Sequence, residues 1–302
     1  MTAVAEEIEN DDDDVDAPAP ALKPFIRWVG GKRKFAVDLA ARCEALRAPT
    51  GRYFEPFLGS GAVALAMPNG LDMVLGDACK PVAYLWWWLQ REPVAIVEYA
   101  TAYGLDKTGD NWNTEEGYGE LRYQHNVEPF SDESWIPSAR FLWLQCASFN
   151  GVYRENRQGY FNVPYGHRRR VSVPSVETLT AVADHIRNAD IRPGWDFEDV
   201  VAEAAAGDVI FVDPPYDGDA TAFMGYVATP FGPTEQERLC NALEDALGRG
   251  ASVIHTNADT ARIRKLYRHY TIEEVFEARS VAADPTKRTP AACLVMTQVG
   301  RR

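Results

Sequence analysis

Between Arg52 and Asp77 the chain switches between two kinds of local structure on a spacing that few folds accommodate. Arg52-Tyr-Phe-Glu55-Pro56-Phe57 reads as a strand and runs into Leu58-Gly59-Ser60-Gly61-Ala-Val-Ala-Leu-Ala66, a glycine turn opening a helix. A second strand follows at Met73 to Gly76 and ends on Asp77, after which Pro81 starts an apolar helix containing Trp86, Trp87 and Trp88. Proline is tolerated early in a helix because the N–H it lacks would have no partner there. Strand, glycine turn, helix, strand, helix is the repeating unit of a parallel sheet, so the expected class is α/β with a Rossmann-like sheet.

The pattern is then interrupted. From roughly Ala102 to His185 the periodicity is lost and Gly, Asn, Tyr, Pro and Arg dominate, which reads as an inserted, mainly helical and loop-rich recognition region. The α/β pattern resumes with a strand at Ala189 to Arg192, a helix near Glu198 to Ala206 and a strong strand from Val209 to Val212. Further strands are expected at Ser252 to His255, Thr271 to Val275 and Cys293 to Thr297, with one helix before Ala251 and another around Ala261 to Tyr267. The resulting division is an acidic tail over 1–21, a first α/β part over 22–101, the insertion over 102–188 and a second α/β part over 189–302.

Composition narrows the class. No apolar run approaches the ~20 residues of a membrane helix, and the first twenty residues hold eight carboxylates and neither Lys nor Arg, which excludes a secretory leader. A cytoplasmic protein is expected. Five cysteines without a C-x-x-C pair suggest neither a disulfide framework nor a zinc site, and no metal is expected. The formal charge is −13, of which the tail supplies −8, leaving −5 for the rest. Basic residues cluster at Arg27 and Lys32 to Lys34, at Arg154, Arg157 and Arg168 to Arg170, and at Arg262 to Arg268. A local positive face of this kind holds phosphates even on an acidic body.

In an open α/β sheet ligands bind at the carboxyl ends of the strands. Glu55, Asp77 and Asp213 each close a strand, so three carboxylates converge at one edge. Gly59 and Gly61 let the backbone approach a ligand closely, and Asp77 is placed to accept both hydroxyls of a ribose. Gly59-x-Gly61-x-x-Ala64 followed by Asp77 also fits a dinucleotide fingerprint, in which the glycines cradle a pyrophosphate. Glu55-Pro56-Phe57 opposes that alternative, because it puts an anion where the pyrophosphate would lie. A carboxylate there suits a ligand bearing positive charge, such as the amino group or sulfonium of S-adenosylmethionine.

Val209-Ile-Phe-Val212 leads into Asp213-Pro214-Pro215-Tyr216, where two prolines force the chain out of the sheet with Asp213 at the strand tip. An exocyclic amine on adenine is a poor nucleophile because its lone pair is delocalised into the ring. If the Asp213 carboxylate and the Pro214 carbonyl each accept one N–H, the nitrogen is held nearer to tetrahedral and its lone pair faces a methyl donor, with no metal needed. Tyr216 offers a ring on which an extruded base stacks.

Taken together, these residues resemble the Dam-type family of DNA adenine-N6 methyltransferases of the Asp-Pro-Pro-Tyr class, over most of the chain from about Leu22. The resemblance implies S-adenosylmethionine as cofactor and double-stranded DNA as partner; the oligomeric state is left open, with a monomer favoured. Phe25-Ile-Arg27-Trp28-Val-Gly30-Gly31-Lys32 is similar to the family's N-terminal motif, which implies that Trp28, Gly30, Gly31 and Lys32 help form the cofactor pocket. Phe54-Glu55-Pro56-Phe57-Leu-Gly59-Ser-Gly61 resembles its glycine loop, Asp77 its ribose carboxylate, and Trp195-Asp196-Phe197 the segment that contacts the cofactor's adenine. Phe149-Asn150-Gly-Val-Tyr-Arg154 and Gly159-Tyr-Phe-Asn-Val-Pro-Tyr-Gly166 resemble its DNA-contacting stretch. That similarity implies base contacts from Asn150, Arg154 and Arg27 and insertion of Phe149 into the stack. Arg168 and Arg169 are expected on phosphates, which set register without reading sequence. Phe149 replaces an expected tyrosine, His167 stands where a longer basic residue is common, and Ala291-Ala292-Cys293-Leu294 lacks an acidic residue, so GATC is not carried over as the target.

Overall fold

The computed structural model describes residues 22–103, 112–218, 231–278 and 290–300; the acidic tail lies outside the described residues. A seven-stranded sheet runs through the molecule in the order β3-β2-β1-β4-β5-β7-β6. Its strands are β1 (Tyr53–Glu55), β2 (Met73–Asp77), β3 (Asp190–Pro193), β4 (Val209–Val212), β5 (Ser252–Ala258), β6 (Thr271–Ala278) and β7 (Pro290–Gln298). The first five pair in parallel, while β7 runs antiparallel between β5 and β6. The fold is the mixed α/β, Rossmann-like arrangement that the strand and turn pattern implies.

Side chains two apart on a strand share a face, and the central strands show both faces buried, as parallel strands require. Tyr53, Met73, Leu75, Val209 and Phe211 enter one apolar cluster. Phe54, Val74, Ile210 and Val212 enter the other, which is closed by helices α7 (Phe197–Ala202), α8 (Pro233–Gly248) and α9 (Ala261–Leu266). The first face carries α1 (Ala36–Leu46), α2 (Lys80–Leu89) and α3 (Pro93–Ala102).

One expectation needs correction. The stretch after Gly61 forms only a 3₁₀ turn at Ala64–Ala66 instead of a helix. Met67 precedes Pro68, and the proline ring excludes the helical region for its predecessor; Met67 is extended, at φ −68° and ψ 159°. The stretch from Ala102 to His185, expected to be mainly helical and loop-rich, holds three regular helices that its lost periodicity did not place, α4 (Glu115–Val127), α5 (Ile136–Ala147) and α6 (Val176–His185). Thr114 caps α4 by accepting from the Gly117 N–H at 3.0 Å, and Ser175 caps α6 in the same way. Helix α5 is buried on nearly every side, so it shows no amphipathic stripe. It packs against α2 and α3, and its Phe141, Leu142 and Trp143 join the same apolar cluster as β1 and β2.

No described helix is long and apolar enough to cross a membrane. The five cysteines are all free, four of them buried.

Candidate active site

The carboxyl ends of β1, β2 and β4 open onto one cavity of about 560 Å³, within the range of small-molecule sites. Glu55, Asp77 and Asp213 all line it, as do Trp28, Gly30, Gly31, Lys32, Pro56, Phe57, Gly59, Asp196, Phe197, Pro214, Pro215 and Tyr216. The strand register explains the convergence. Glu55 pairs with Leu75 in the β1–β2 ladder, β1 pairs on its other edge with β4, and all three strands point the same way.

Each carboxylate has its own environment. Glu55 is buried and accepts from the Tyr53 hydroxyl at 2.7 Å and from the Ala64 N–H at 3.0 Å. Burial, with the nearby charges of Asp213 and Asp77, raises its pKa to about 8 despite those two donors. Asp77 takes one backbone N–H on each oxygen, from Gly59 and from Cys79, both at 2.8 Å. Each oxygen keeps a lone pair for a further donor. Burial pushes its pKa up to about 6, with the two N–H donors opposing. The Asp77–Gly59 bond also ties the glycine loop to the tip of the neighbouring strand.

Asp213 is anchored through a single oxygen. Its Oδ1 meets the Lys32 ammonium at 2.9 Å and accepts from the Thr256 hydroxyl at 2.6 Å. Oδ2 makes no hydrogen bond among the described residues, and Asp213 lines the cavity. Lys32 is 3% exposed, donates to the Gly30 carbonyl at 2.6 Å and lies 4.8 Å from the centre of the Tyr216 ring. The N-terminal Gly-Gly-Lys is thus brought onto the Asp-Pro-Pro-Tyr turn as well as to the cavity wall. Lys32, expected both in a basic cluster and at the cofactor pocket, lines the cavity as a buried partner of Asp213. The Tyr216 hydroxyl lies 3.0 Å from the Cys293 sulfur.

Gly59 and Gly61 have φ of 46° and 63°, in the left-handed region. The crowding around them comes from tryptophan rings. A Cβ on Gly59 would lie 2.7 Å from Trp28 Cδ1, and one on Gly61 would lie 2.5 Å from Trp86 Cζ2. The Trp86 indole N–H closes the loop by donating to the Gly59 carbonyl at 2.9 Å. Gly61 therefore serves the loop from behind.

The far end of the cavity is apolar and flat. Phe57 stacks on Phe197 with centroids 5.5 Å apart and meets Phe231 edge-on at 5.5 Å. Arg238 on α8 spans the rim, bonded to Asp196 at 3.0 Å and Glu198 at 2.8 Å and to Glu235, with its guanidinium 4.9 Å from the Phe197 ring centre. Sequence reasoning found Asp196 and Phe197 and missed Phe231, Glu235 and Arg238. Pro233 at the start of α8 was the available signal that a helix begins there.

Beside the cavity lies a second constellation. Trp28 stacks on Tyr153 at 5.7 Å and 11°, which joins the cavity wall to the stretch carrying Phe149, Asn150 and Arg154. Asn150 is held at φ 56°, a left-handed conformation that asparagine tolerates, and its carbonyl accepts from Arg27 at 3.3 Å. Phe149 is 53% exposed. Arg154 donates to Asn162 at 2.8 Å across a short hairpin. Pro164 and Gly166 run back along Ala147 to Phe149, delivering Arg168 and the exposed Arg169 beside them. Burial raises the pKa of Cys146 to about 11, with Arg168 and Arg27 opposing. The third basic group of the sequence reading is largely committed elsewhere: Arg262 pairs with Asp217, and Arg264 with Asp259 and Glu274. Among the described residues no three His, Cys, Asp or Glu side chains are grouped to hold a metal ion.

Comparison with known proteins agrees with this layout. The family model for D12 class N6 adenine-specific DNA methyltransferases matches residues 28–281. The chain is 33% identical over 265 residues to a DNA N-6-adenine-methyltransferase of Escherichia phage P1, covering 86% of this chain and 33% of that protein. It is 29% identical over 269 residues to a DNA adenine methylase of Vibrio cholerae, covering 88% and 92% of the two chains. A Type II methyltransferase of Lactococcus lactis, M1.LlaDCHI, is 26% identical over 92% of this chain and 96% of its own.

Proposed function

The chain belongs to the D12 class N6 adenine-specific DNA methyltransferases, and from that premise we propose that the cavity at the strand tips takes S-adenosylmethionine at one end and an adenine extruded from duplex DNA at the other. The observation that carries this reading is Asp213, a residue lining the cavity whose one oxygen is fixed by Lys32 and Thr256 while the other makes no hydrogen bond among the described residues.

The residues present suit that cofactor chemically. The aromatic wall made by Phe57, Phe197 and Phe231 offers a flat ring an apolar surface, and Asp77 has lone pairs for two ribose hydroxyls. Glu55 is a buried carboxyl that a positive charge would stabilise in its ionised form. Trp28, Gly30, Gly31, Pro56, Gly59 and Gly61 complete the walls and the turns that carry them. When bound, S-adenosylmethionine supplies an electrophilic methyl group on a sulfonium. The protein's part is to hold the amine: Asp213 Oδ2 and the Pro214 carbonyl each accept one N–H of the adenine amino group. That grip localises the lone pair on nitrogen and directs it at the methyl carbon for in-line displacement. Pro215 carries the turn, and Tyr216 gives the base a stacking surface that offsets part of an extrusion cost of a few kcal/mol.

Arg27, Asn150 and Arg154 read base edges, an arginine being able to grip guanine bidentately. Phe149 fills the stack, and Arg168 and Arg169 hold phosphates. The segment 102–188 is the target-recognition region, set beside the α/β parts 22–101 and 189–302.

The Glu55 assignment has a pH signature. With a pKa of about 8 in the free protein, Glu55 holds its proton at pH 7, and a cation arriving beside it displaces that proton. Affinity for S-adenosylmethionine therefore rises as pH rises toward about 8 and levels off above it. Calorimetry in two buffers of different ionisation heat is expected to show net proton release at pH 7, lost in Glu55→Gln; equal heats would remove the assignment. The stability effect has the opposite sign. Because the folded state keeps a proton that the unfolded chain releases, stability of the free protein falls as pH rises from 4.5 toward about 8.

The test of the whole reading is transfer of a labelled methyl group from S-adenosylmethionine to duplex DNA, followed by nucleoside analysis. Label in 6-methyladenine is expected, and label in 4-methylcytosine would contradict it.

A further inference from the structure

Beneath the Asp213 turn lies a closed circuit of buried polar groups that the reaction as described does not use. Strand β5 runs beside β4 in the register Val212↔His255, which brings Thr256 level with Asp213. Thr256 is 1% exposed and Asn257 and Gln236 are fully buried. Thr256 donates to Asp213 Oδ1 at 2.6 Å, with a weaker approach to the Val212 carbonyl at 3.4 Å. Asn257 accepts the Asp217 N–H at 2.9 Å and donates to Gln236 Oε1 at 3.1 Å. Gln236, in the first turn of α8, donates to the Pro215 carbonyl at 2.9 Å.

These contacts grip the turn on both sides of Pro214. One fixes the carboxylate before it, and the others fix the Pro215 carbonyl and the Asp217 N–H after it. Proline has no N–H, so residues 214 and 215 cannot anchor themselves to a neighbouring strand as donors. Their position has to come from carbonyls and from side chains reaching in. Burying two side-chain amides and a hydroxyl is costly unless each finds partners, and here each finds partners on the turn or on one another.

We infer that Thr256 and Gln236, linked through Asn257, are positioning residues that aim Asp213 Oδ2 and the Pro214 carbonyl at the amine. Thr256 holds Oδ1 so that the carboxylate cannot rotate its free oxygen out of the cavity. Gln236 holds the next carbonyl along, which sets the plane of the peptide carrying the Pro214 oxygen. The inference rests on the role of Asp213 proposed above.

The test is a single-turnover measurement at saturating S-adenosylmethionine and duplex DNA, below the melting temperature of every variant. Thr256→Val keeps the volume and removes the hydroxyl; the methyl-transfer rate is expected to fall about 10- to 100-fold, the range for misplacement of a reacting group. Dissociation constants for cofactor and DNA are expected to hold, and Thr256→Ser to restore the rate. Gln236→Met, which leaves Asp213 untouched, is expected to lower the same rate with the same binding, and it carries the test if Thr256→Val does not fold. A wild-type rate in both variants, or a loss no larger than the loss of folded protein, overturns the clamp while an inactive Asp213→Asn leaves the site reading standing. An active Asp213→Asn overturns the site reading itself.

Discussion

Replacing Asp213 with alanine lowers the single-turnover rate of methyl transfer by about 1,000-fold or more, the scale of losing a preorganised acceptor in a dry site. Binding of S-adenosylmethionine is retained, because Asp77 and the aromatic wall of the cavity remain. The alanine also removes the carboxylate that the buried Lys32 meets at 2.9 Å while its bond to the Gly30 carbonyl stays, so a fall in melting temperature accompanies the loss of activity. Asp213→Asn separates the two effects. It keeps an oxygen and the shape of the side chain and loses the charge. It is expected to stay folded and bind cofactor while losing most of its rate, read by stopped-time transfer of labelled methyl groups. A variant with wild-type rate and intact Lys32 would remove Asp213 from the chemistry.

The second large effect belongs to Gly61. Alanine there meets the Trp86 ring at 2.5 Å in a backbone conformation with φ 63°. The left-handed conformation costs about 1–2 kcal/mol and overpacking about 1–3 kcal/mol, for a combined loss of roughly 2–5 kcal/mol. Trp86 cannot retreat easily, since it is fully buried and donates to the Gly59 carbonyl. The glycine loop shifts, and cofactor affinity falls with stability. Gly70 gives the control, because its φ is 76° and a Cβ there meets nothing within 4 Å. Gly70→Ala is expected to lose only the conformational part and to leave binding unchanged, as measured by thermal melting and calorimetry. Equal behaviour of the two variants would show that Trp86 does not support the loop.

What the sequence discloses here follows from range. The β1 strand, the glycine turn and Asp77 lie within one stretch, and each announces itself by local chemistry: a short aromatic run, a residue without Cβ, a carboxylate at a strand end. The same holds for Val209 to Tyr216, where two prolines mark the exit from the sheet. Helix α5 escaped notice because nearly all its residues are buried, and a helix apolar on every side has no period to find. The helix expected after Gly61 failed for a reason that was visible, Pro68 behind Met67, but that a run of Ala, Val and Leu outweighed. Thr256 and Gln236 carried no local sign at all. They reach the Asp213 turn from 43 and 21 residues away, through strand register and a helix start that only the assembled sheet defines. The pairing of Lys32 with Asp213 is of the same kind: the motif resemblance places Lys32 at the pocket, but nothing local ties it to the Asp-Pro-Pro-Tyr turn.

The central claim is that Asp213 and Pro214 grip the amino group of an extruded adenine. A crystal structure of the protein with a non-reactive S-adenosylmethionine analogue and a duplex containing its target measures this directly. The account predicts the adenine N6 within hydrogen-bond distance of both Asp213 Oδ2 and the Pro214 oxygen, with its ring against Tyr216 and the donor on the opposite side of the nitrogen. An adenine left stacked in the duplex, or bound with N6 turned away from Asp213, would contradict it.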